Sequence, residues 1–466
     1  TSYIGDESGV GIDIELNPFD TAPLAAVSTV ETPIDGTVEI RIVGQDGEFS
    51  DMRSSSSEVS KTHEFDVLGL YAGYENTVEF ILKSPDGKER LTIARTIETD
   101  PLPEGLPEFE IVEQLATDEQ NTVFLVNFRP TNLPLMVDRF GKVRWYSSNF
   151  AEGNNYGLQR FANGNMGLGK GEDGQGSIFE YTITGELVKE FSFYPEYENV
   201  HHDIYEMENG NFIVPVNKTG AETIEDYIIA MDRNSGDIIN TWDLNPILPK
   251  RDTLLNTPED WVHVNAVIHD ERDNSIIVSG QRQALFKITW DNQLKWIMAP
   301  PFDWDGFEDY LLTSDDPDME WNWGQHAPLI TPEGNLFFFD NGYGRQFGTG
   351  DKFSRAVEVR IEEAEIGGTV ETVWEYGRER GEAFYSPIIS DVDYITSSDT
   401  RLIVAGSLAF DHVYVDKDNV TNTWTDEFLK STILEVDFDK NVLFEMNVNS
   451  NVSQGSVYRA EKIKLY

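Results

Sequence analysis

Five of the chain's seven histidines fall in four short motifs: Val200–Phe212 (VHHDIYEMENGNF), Trp261–Val267 (WVHVNAV), Trp323–Leu329 (WGQHAPL) and Phe410–Val413 (FDHV). Each motif lies beside an expected strand end. Imidazole is neutral, nucleophilic and easily protonated near neutral pH, so imidazoles gathered from distant segments point to a site that handles an anion or a metal. A single histidine at a strand end is usually a hydrogen-bonded structural residue; His202, His263 and His326, each just before a recurrent turn, are harder to read that way. Arg345, in DNGYGRQF, could offer a fixed cationic fork to a tetrahedral oxyanion. Arg355, in SRAVEV, reads first as a surface or blade-edge ion-pair residue.

Six segments that end in a bulky aromatic carry these motifs. The aromatics are Trp145, Phe191, Trp242, Trp296, Trp374 and Phe444, separated by 46, 51, 54, 78 and 70 residues. Between them recurs a turn, Gly-Asn, strand element: Ala162–Met166, Glu208–Phe212 and Glu333–Phe337, with variants at Asp273–Val278 and Asp399–Val404. Four-stranded units of this period predict an all-β chain whose main domain is a six-bladed β-propeller. A propeller brings one strand of every blade to a shared axis, which is how distant histidines would meet. The long spacing after Trp296 implies an insertion, Pro300–Asn322, expected as a loop over one face.

Residues 1–107 read differently. Alternating strands at Gly36–Val43, Thr62–Leu68, Asn76–Leu82 and Glu89–Ile97, broken at Ser54–Ser57 and at Pro85-Asp86-Gly87, predict a small antiparallel β-sandwich. Pro101, Pro103, Gly105 and Pro107 form a stiff linker, and the propeller is expected over 108–466.

Composition excludes several function classes. With 35 Lys and Arg against 83 Asp and Glu, the net charge of −48 repels nucleic acid and anionic membrane surfaces. The acidic shell reads as solvation for salty or extracellular surroundings, and acidic runs such as Ser314–Glu320 read as solvated turns before calcium sites. No cysteine is present, so thiolate nucleophiles, iron–sulfur clusters, thiolate zinc sites and disulfides are absent. No stretch approaches the ~18 apolar residues of a membrane span. The start at Thr1 and the sequons at Asn217, Asn419 and Asn451 fit an exported product, periplasmic, extracellular or at the cell surface.

The motifs HHDIYEMENGNF, DWVHVNAV, QHAPLITPEGN, DNGYGR, SRAVEV and VWEYGRERGEAFYSPIISDV, in this order from about residue 110 to 440, resemble those of the bacterial arylsulfate sulfotransferases, which use no nucleotide sulfate donor. The resemblance implies a six-bladed propeller with an N-terminal sandwich, pairing as a dimer or larger self-assembly, and ping-pong transfer of a sulfuryl group from a phenolic sulfate donor to a phenol acceptor through a sulfohistidine. Carried over by motif, His202, His326 and Arg345 belong to the catalytic set and His412 is the nucleophile. His201, His263, Asn265 and Arg355 take substrate-binding or supporting places. Neither metal nor cofactor is required.

Elementary chemistry fits these roles. Imidazole nitrogen accepts a sulfuryl group and, once sulfated, passes it on. His412 would attack while Arg345 and His326 hold the equatorial oxygens, and His202 would protonate the leaving phenolate and later deprotonate the acceptor. Two other readings stand beside this one. A propeller whose catalytic histidine has drifted would serve adhesion or assembly; a metal-dependent hydrolase or lyase would use His202, His263 and His326 as ligands with Asp203.

Overall fold

The structure, a computed structural model, describes all residues except 1–2, 5–8, 115–118, 130–132, 149–154, 171–175, 252–256, 346–351, 409–429 and 453–454. Among the described residues the regular structure is almost entirely β, with short 3-10 turns added. No described helix is long and apolar enough to cross a membrane.

The N-terminal domain is organised by one strand, Ala26–Ile42, which pairs with Gly11–Leu16 and Ser60–Val67 along its first half and with Met52–Ser55 and Glu75–Lys83 along its second. The pairing slips between Glu31 and Gly36, where the strand passes from one sheet to the other. Its inward residues Val30, Val38, Ile40 and Ile42 alternate with more exposed ones, so a single strand feeds both faces of the sandwich core. The expected break at Ser54–Ser57 begins later, since Ser54 and Ser55 close the strand Met52–Ser55.

Six further sheets follow in ring order. Their inner strands are Ser456–Lys464 in blade 1, Asn155–Arg160 in blade 2, Tyr197–Val200 continued by Tyr205–Glu206 in blade 3, Val264–Asp270 in blade 4, His326–Ile330 in blade 5 and Asp391–Ile395 in blade 6. Two closures seal the ring. The C-terminal strand Ser456–Lys464 pairs with Thr122–Arg129 as the inner strand of blade 1, and Glu108–Gln114 pairs with Val442–Asn449 on the outer edge of blade 6. Both ends of the propeller are thereby tied, and edges that would otherwise invite pairing with other chains are covered.

All six repeat aromatics sit on the fourth strand of their blades and are almost wholly buried. Four of them are tryptophans whose indole N–H reaches the next blade: Trp145 to Ile183 O (2.8 Å), Trp242 to Thr289 O (3.0 Å), Trp296 to Glu363 Oε1 (3.3 Å) and Trp374 to Phe438 O (2.9 Å). The acceptor lies each time at the turn between the third and fourth strands of the neighbour. Large apolar area and one satisfied polar handle make tryptophan suited to this position. The sandwich docks on blade 1, where the buried Arg144 guanidinium bonds Gly69 O, Ser50 O and Asp138.

Within the insertion, Leu312–Thr313 runs parallel to Gly368–Tyr376 along the outer edge of blade 5. Trp304, under the Arg251 guanidinium at 3.9 Å and bonded to Pro300 O, packs the insertion's start into the neighbouring core.

Candidate active site

The inner strands leave regular extension where they begin. His202 (φ 67°), His263 (φ 54°), Ala327 (φ 50°) and Ser390 (φ 89°) are left-handed. This conformation costs a residue with a side chain about 1–2 kcal/mol, and such strain gathers at functional sites where the surrounding fold enforces it. Pairing also slips between Val264 and Ala266, between His326 and Leu329, and between Val457 and Arg459. The last bulge lets the adjacent Tyr458 and Arg459 both reach blade 3, at His202 and Asp203.

Blades 3, 4 and 1 meet in a cluster of imidazoles. His202 Nδ1 is 2.9 Å from Tyr458 Oη, its Nε2 is 3.5 Å from Glu225 Oε2, and its ring centroid is 4.8 Å from that of His263. His263 Nδ1 lies 2.9 Å from Asp260 Oδ2 and 2.6 Å from Glu225 Oε2. Strict strand alternation would bring only one of His201 and His202 to the channel. The chain breaks between Val200 and Tyr205, the rule lapses, and both rings join the cluster with centroids 5.7 Å apart.

The environment sorts these rings by charge. Burial draws His201 down to about 4 and also lowers His202, against the pull of Glu225. Burial opposes protonation of His263 too, but Glu225 and Asp260 outweigh it and carry the ring up to about 9. The Glu225 carboxyl, which burial alone would raise, is held well below its ordinary range by His263 and His202. The donor atoms of His201, His202 and Glu225 lie within 4.8 Å of one another, as do those of Glu225, Asp260 and His263.

His326 opens the inner strand of blade 5 and has a defined tautomer. Its Nδ1 faces two acceptors, Asn341 Oδ1 at 2.7 Å and Gly324 O at 3.1 Å. The Asn341 amide cannot turn round, because its Nδ2 donates to Ser386 O (2.8 Å) and Ile389 O (2.7 Å). Nδ1 therefore carries the proton and Nε2 the lone pair. Burial lowers the ring to about 3, so it is neutral at physiological pH.

Along the axis from the imidazoles runs a charged stripe. Arg459 lies 2.7 Å from Asp203 Oδ1 and 3.7 Å from Asp391 Oδ1. Burial would lower the guanidinium, yet Asp203 and Asp391 raise it. Two residues further on each strand come Asp393 and Glu461. Burial pushes Asp391 up to about 7, Asp393 to about 6 and Glu461 to about 8.

Sequence reasoning found His201, His202, His263 and His326 but missed Glu225, Asp260, Tyr458, Arg459 and Asp391. Asp260 stood three residues before His263 inside DWVHVNAV. The pairs Arg459/Glu461 and Asp391/Asp393 stood at strand spacing, an unusual place for charge on a propeller's inner strand. Glu225 carried no local signal.

Three expected site residues are held by other groups of the protein. Arg345 is fully buried and its guanidinium is engaged by Asp340, by Glu320 Oε1 at 3.1 Å and by Phe353 O at 2.8 Å. Arg355 is an ion-pair residue, buried where a surface place was expected, 3.0 Å from Asp340 and 2.5 Å from Glu375. Asn265 donates to Gln325 O at 2.8 Å and ties blade 4 to blade 5. His412 lies outside the described residues.

Residues 108–459 match the family described as arylsulfotransferase (ASST), and residues 13–100 match the arylsulfotransferase Ig-like domain. The arylsulfate sulfotransferase AssT of Escherichia coli O6:H1 is 31% identical over 295 residues, 49% of this chain and 49% of that protein. The arylsulfate sulfotransferase AssT of Lelliottia amnigena is 29% identical over 348 residues, 59% of this chain and 57% of that one. The chain thus spans about half the length of the curated relatives it matches. Among solved structures, a catalytically inactive virginiamycin B lyase from Staphylococcus aureus superposes with a TM-score of 0.37 at 12% identity, covering 73% of this chain and 99% of that one.

Proposed function

Because the chain belongs to the arylsulfotransferase family, we propose that it moves a sulfuryl group from an aryl sulfate to a phenolic acceptor at the axial histidine cluster, in two half-reactions through a sulfohistidine. In the first, an imidazole nitrogen attacks sulfur, the S–O bond to the aryl group breaks, and the departing phenolate takes a proton. In the second, the acceptor phenol loses its proton, its oxygen attacks sulfur, and the N–S bond breaks.

One observation carries the reading: His326 is held neutral with its lone pair on Nε2, the state an attacking imidazole needs. Among the described residues it is the imidazole that fits the nucleophile, a place the motif order assigns to His412. His202, hydrogen-bonded to Tyr458 Oη, is placed to give the proton to the leaving oxygen and recover it from the acceptor. Beside them His263, carried up to about 9 by Glu225 and Asp260, is the protonated imidazole of the cluster.

The test is exposure of the protein to 4-nitrophenyl sulfate without acceptor, followed by peptide mass spectrometry. A gain of one sulfuryl group on the His326 peptide supports the reading. The same gain on the His412 peptide keeps the route and moves the nucleophile. No modified histidine, with turnover intact, removes the sulfohistidine.

A further inference from the structure

His201 is 4% exposed, and apart from a weak contact with the Val216 backbone neither of its ring nitrogens has a hydrogen-bond partner among the described residues. An imidazole so placed has lost water and gained little in exchange, which is costly unless something else fills its coordination. The mechanism proposed above gives it no task. Its donor atom nevertheless lies within 4.8 Å of those of His202 and Glu225.

We propose that His201, His202 and Glu225 form a site for a divalent transition-metal ion of the zinc class. Two imidazole nitrogens and one carboxylate oxygen are a common three-ligand set for zinc, with a fourth position left to solvent. Tetrahedral bonds of about 2.1 Å place neighbouring ligand atoms about 3.4 Å apart, and His202 Nε2 already stands 3.5 Å from Glu225 Oε2. The His201 donor atom, within 4.8 Å of both, supplies the third corner of the face. The ligands also have outer support: Tyr458 Oη holds His202 by its other nitrogen, and His263 holds Glu225. A metal-binding imidazole is generally oriented in this way through its second nitrogen. Softness selects the ion, because imidazole favours zinc and its neighbours over calcium or magnesium, which prefer all-oxygen sets.

Zinc and a proton compete for His202 Nε2. The inference rests on the proposed function only in its consequence, that zinc slows transfer by occupying the nitrogen that carries the proton; the site itself does not depend on it.

The experiment titrates the full chain, stripped with chelator, with cobalt(II) and zinc chlorides. One equivalent of cobalt should give the intense visible absorption of a four-coordinate ion, displaced by zinc, and zinc should raise the melting temperature. Glu225→Gln and His201→Gln should each abolish the absorption while melting cooperatively without metal. If both variants misfold, calcium and magnesium serve as the second measurement, since neither should displace the cobalt. Absence of the spectrum, or its survival in both folded variants, overturns the site. A spectrum with transfer unaffected by zinc leaves the metal site standing and removes His202 as proton carrier. Absence of transfer with the spectrum intact counts against the function alone.

Discussion

Asn341 Oδ1 sits 2.7 Å from His326 Nδ1, and the amide presenting it is pinned by the carbonyls of Ser386 and Ile389. One side chain therefore fixes the tautomer of a blade 5 imidazole by leaning on the loop that leads into blade 6. In Asn341→Leu the ring loses an acceptor, Ile389 O loses its amide donor, and Ser386 O is left with the Ser354 hydroxyl at 3.3 Å. Removing a group that orients a reactive imidazole costs about 10- to 100-fold in activity. The variant should show that loss in kcat with little change in KM, beside a stability loss of about 1–3 kcal/mol. A rise in KM alone would mean that His326 binds donor without attacking it.

The buried acids make stability depend on pH. Asp391, Asp393 and Glu461, held by burial at about 7, 6 and 8, keep protons in the native state that the unfolded chain has already released. A raised carboxyl pKa destabilises the fold as pH rises towards the folded value, with a slope of about −1.4 kcal/mol per pH unit for each proton still held. Melting temperature should fall between pH 6 and 8.5, and Asp391→Asn with Glu461→Gln should flatten the decline. A flat wild-type profile over that range would show the three groups ionised in the native protein.

The fold was legible because its signals are periodic. One aromatic per blade and a recurrent turn before a strand, Gly-Asn at three places and varied at two more, survive insertions, since each answers a packing or turn requirement that repeats around the ring. Trp145, Trp242, Trp296 and Trp374 could be placed by spacing alone, although their inter-blade hydrogen bonds could not. The site was legible only where its residues were rare. Histidines stand out among seven, while Glu225 is one of 83 acidic residues and enters through folding. Arg345 and Arg355 were ambiguous because one sequence pattern suits both an anion clamp and a buried ion pair, although for Arg355 the ion pair was the first reading. The choice depends on Asp340, whose Oδ2 both arginines share.

Trp242 tests the aromatic lock between blades. Its Nε1 donates to Thr289 O across the blade 3 to blade 4 boundary. Trp242→Phe keeps an aromatic ring but takes one donor from that carbonyl, which still accepts from Asn292 N–H at 3.0 Å, and leaves a small void beside it. We expect a loss of about 1–3 kcal/mol, read as a lower urea midpoint at unchanged slope. A changed slope would instead mean that the blades no longer unfold together.

Arg345 separates a structural cation from a substrate clamp. A guanidinium that holds sulfate should, when removed, raise KM for the donor in a protein of near-normal stability. The geometry gives the opposite order: Arg345→Met leaves Asp340 beside Arg355 alone, strips the partner from Phe353 O, and leaves the Glu320 carboxylate with the longer contact to Arg378 at 3.8 Å. Breaking a buried pair by removing one partner costs about 3–5 kcal/mol. The variant should therefore melt well below the parent, and at a temperature where it remains folded its KM for 4-nitrophenyl sulfate should match. A large rise in KM at parental stability would return Arg345 to the sulfate.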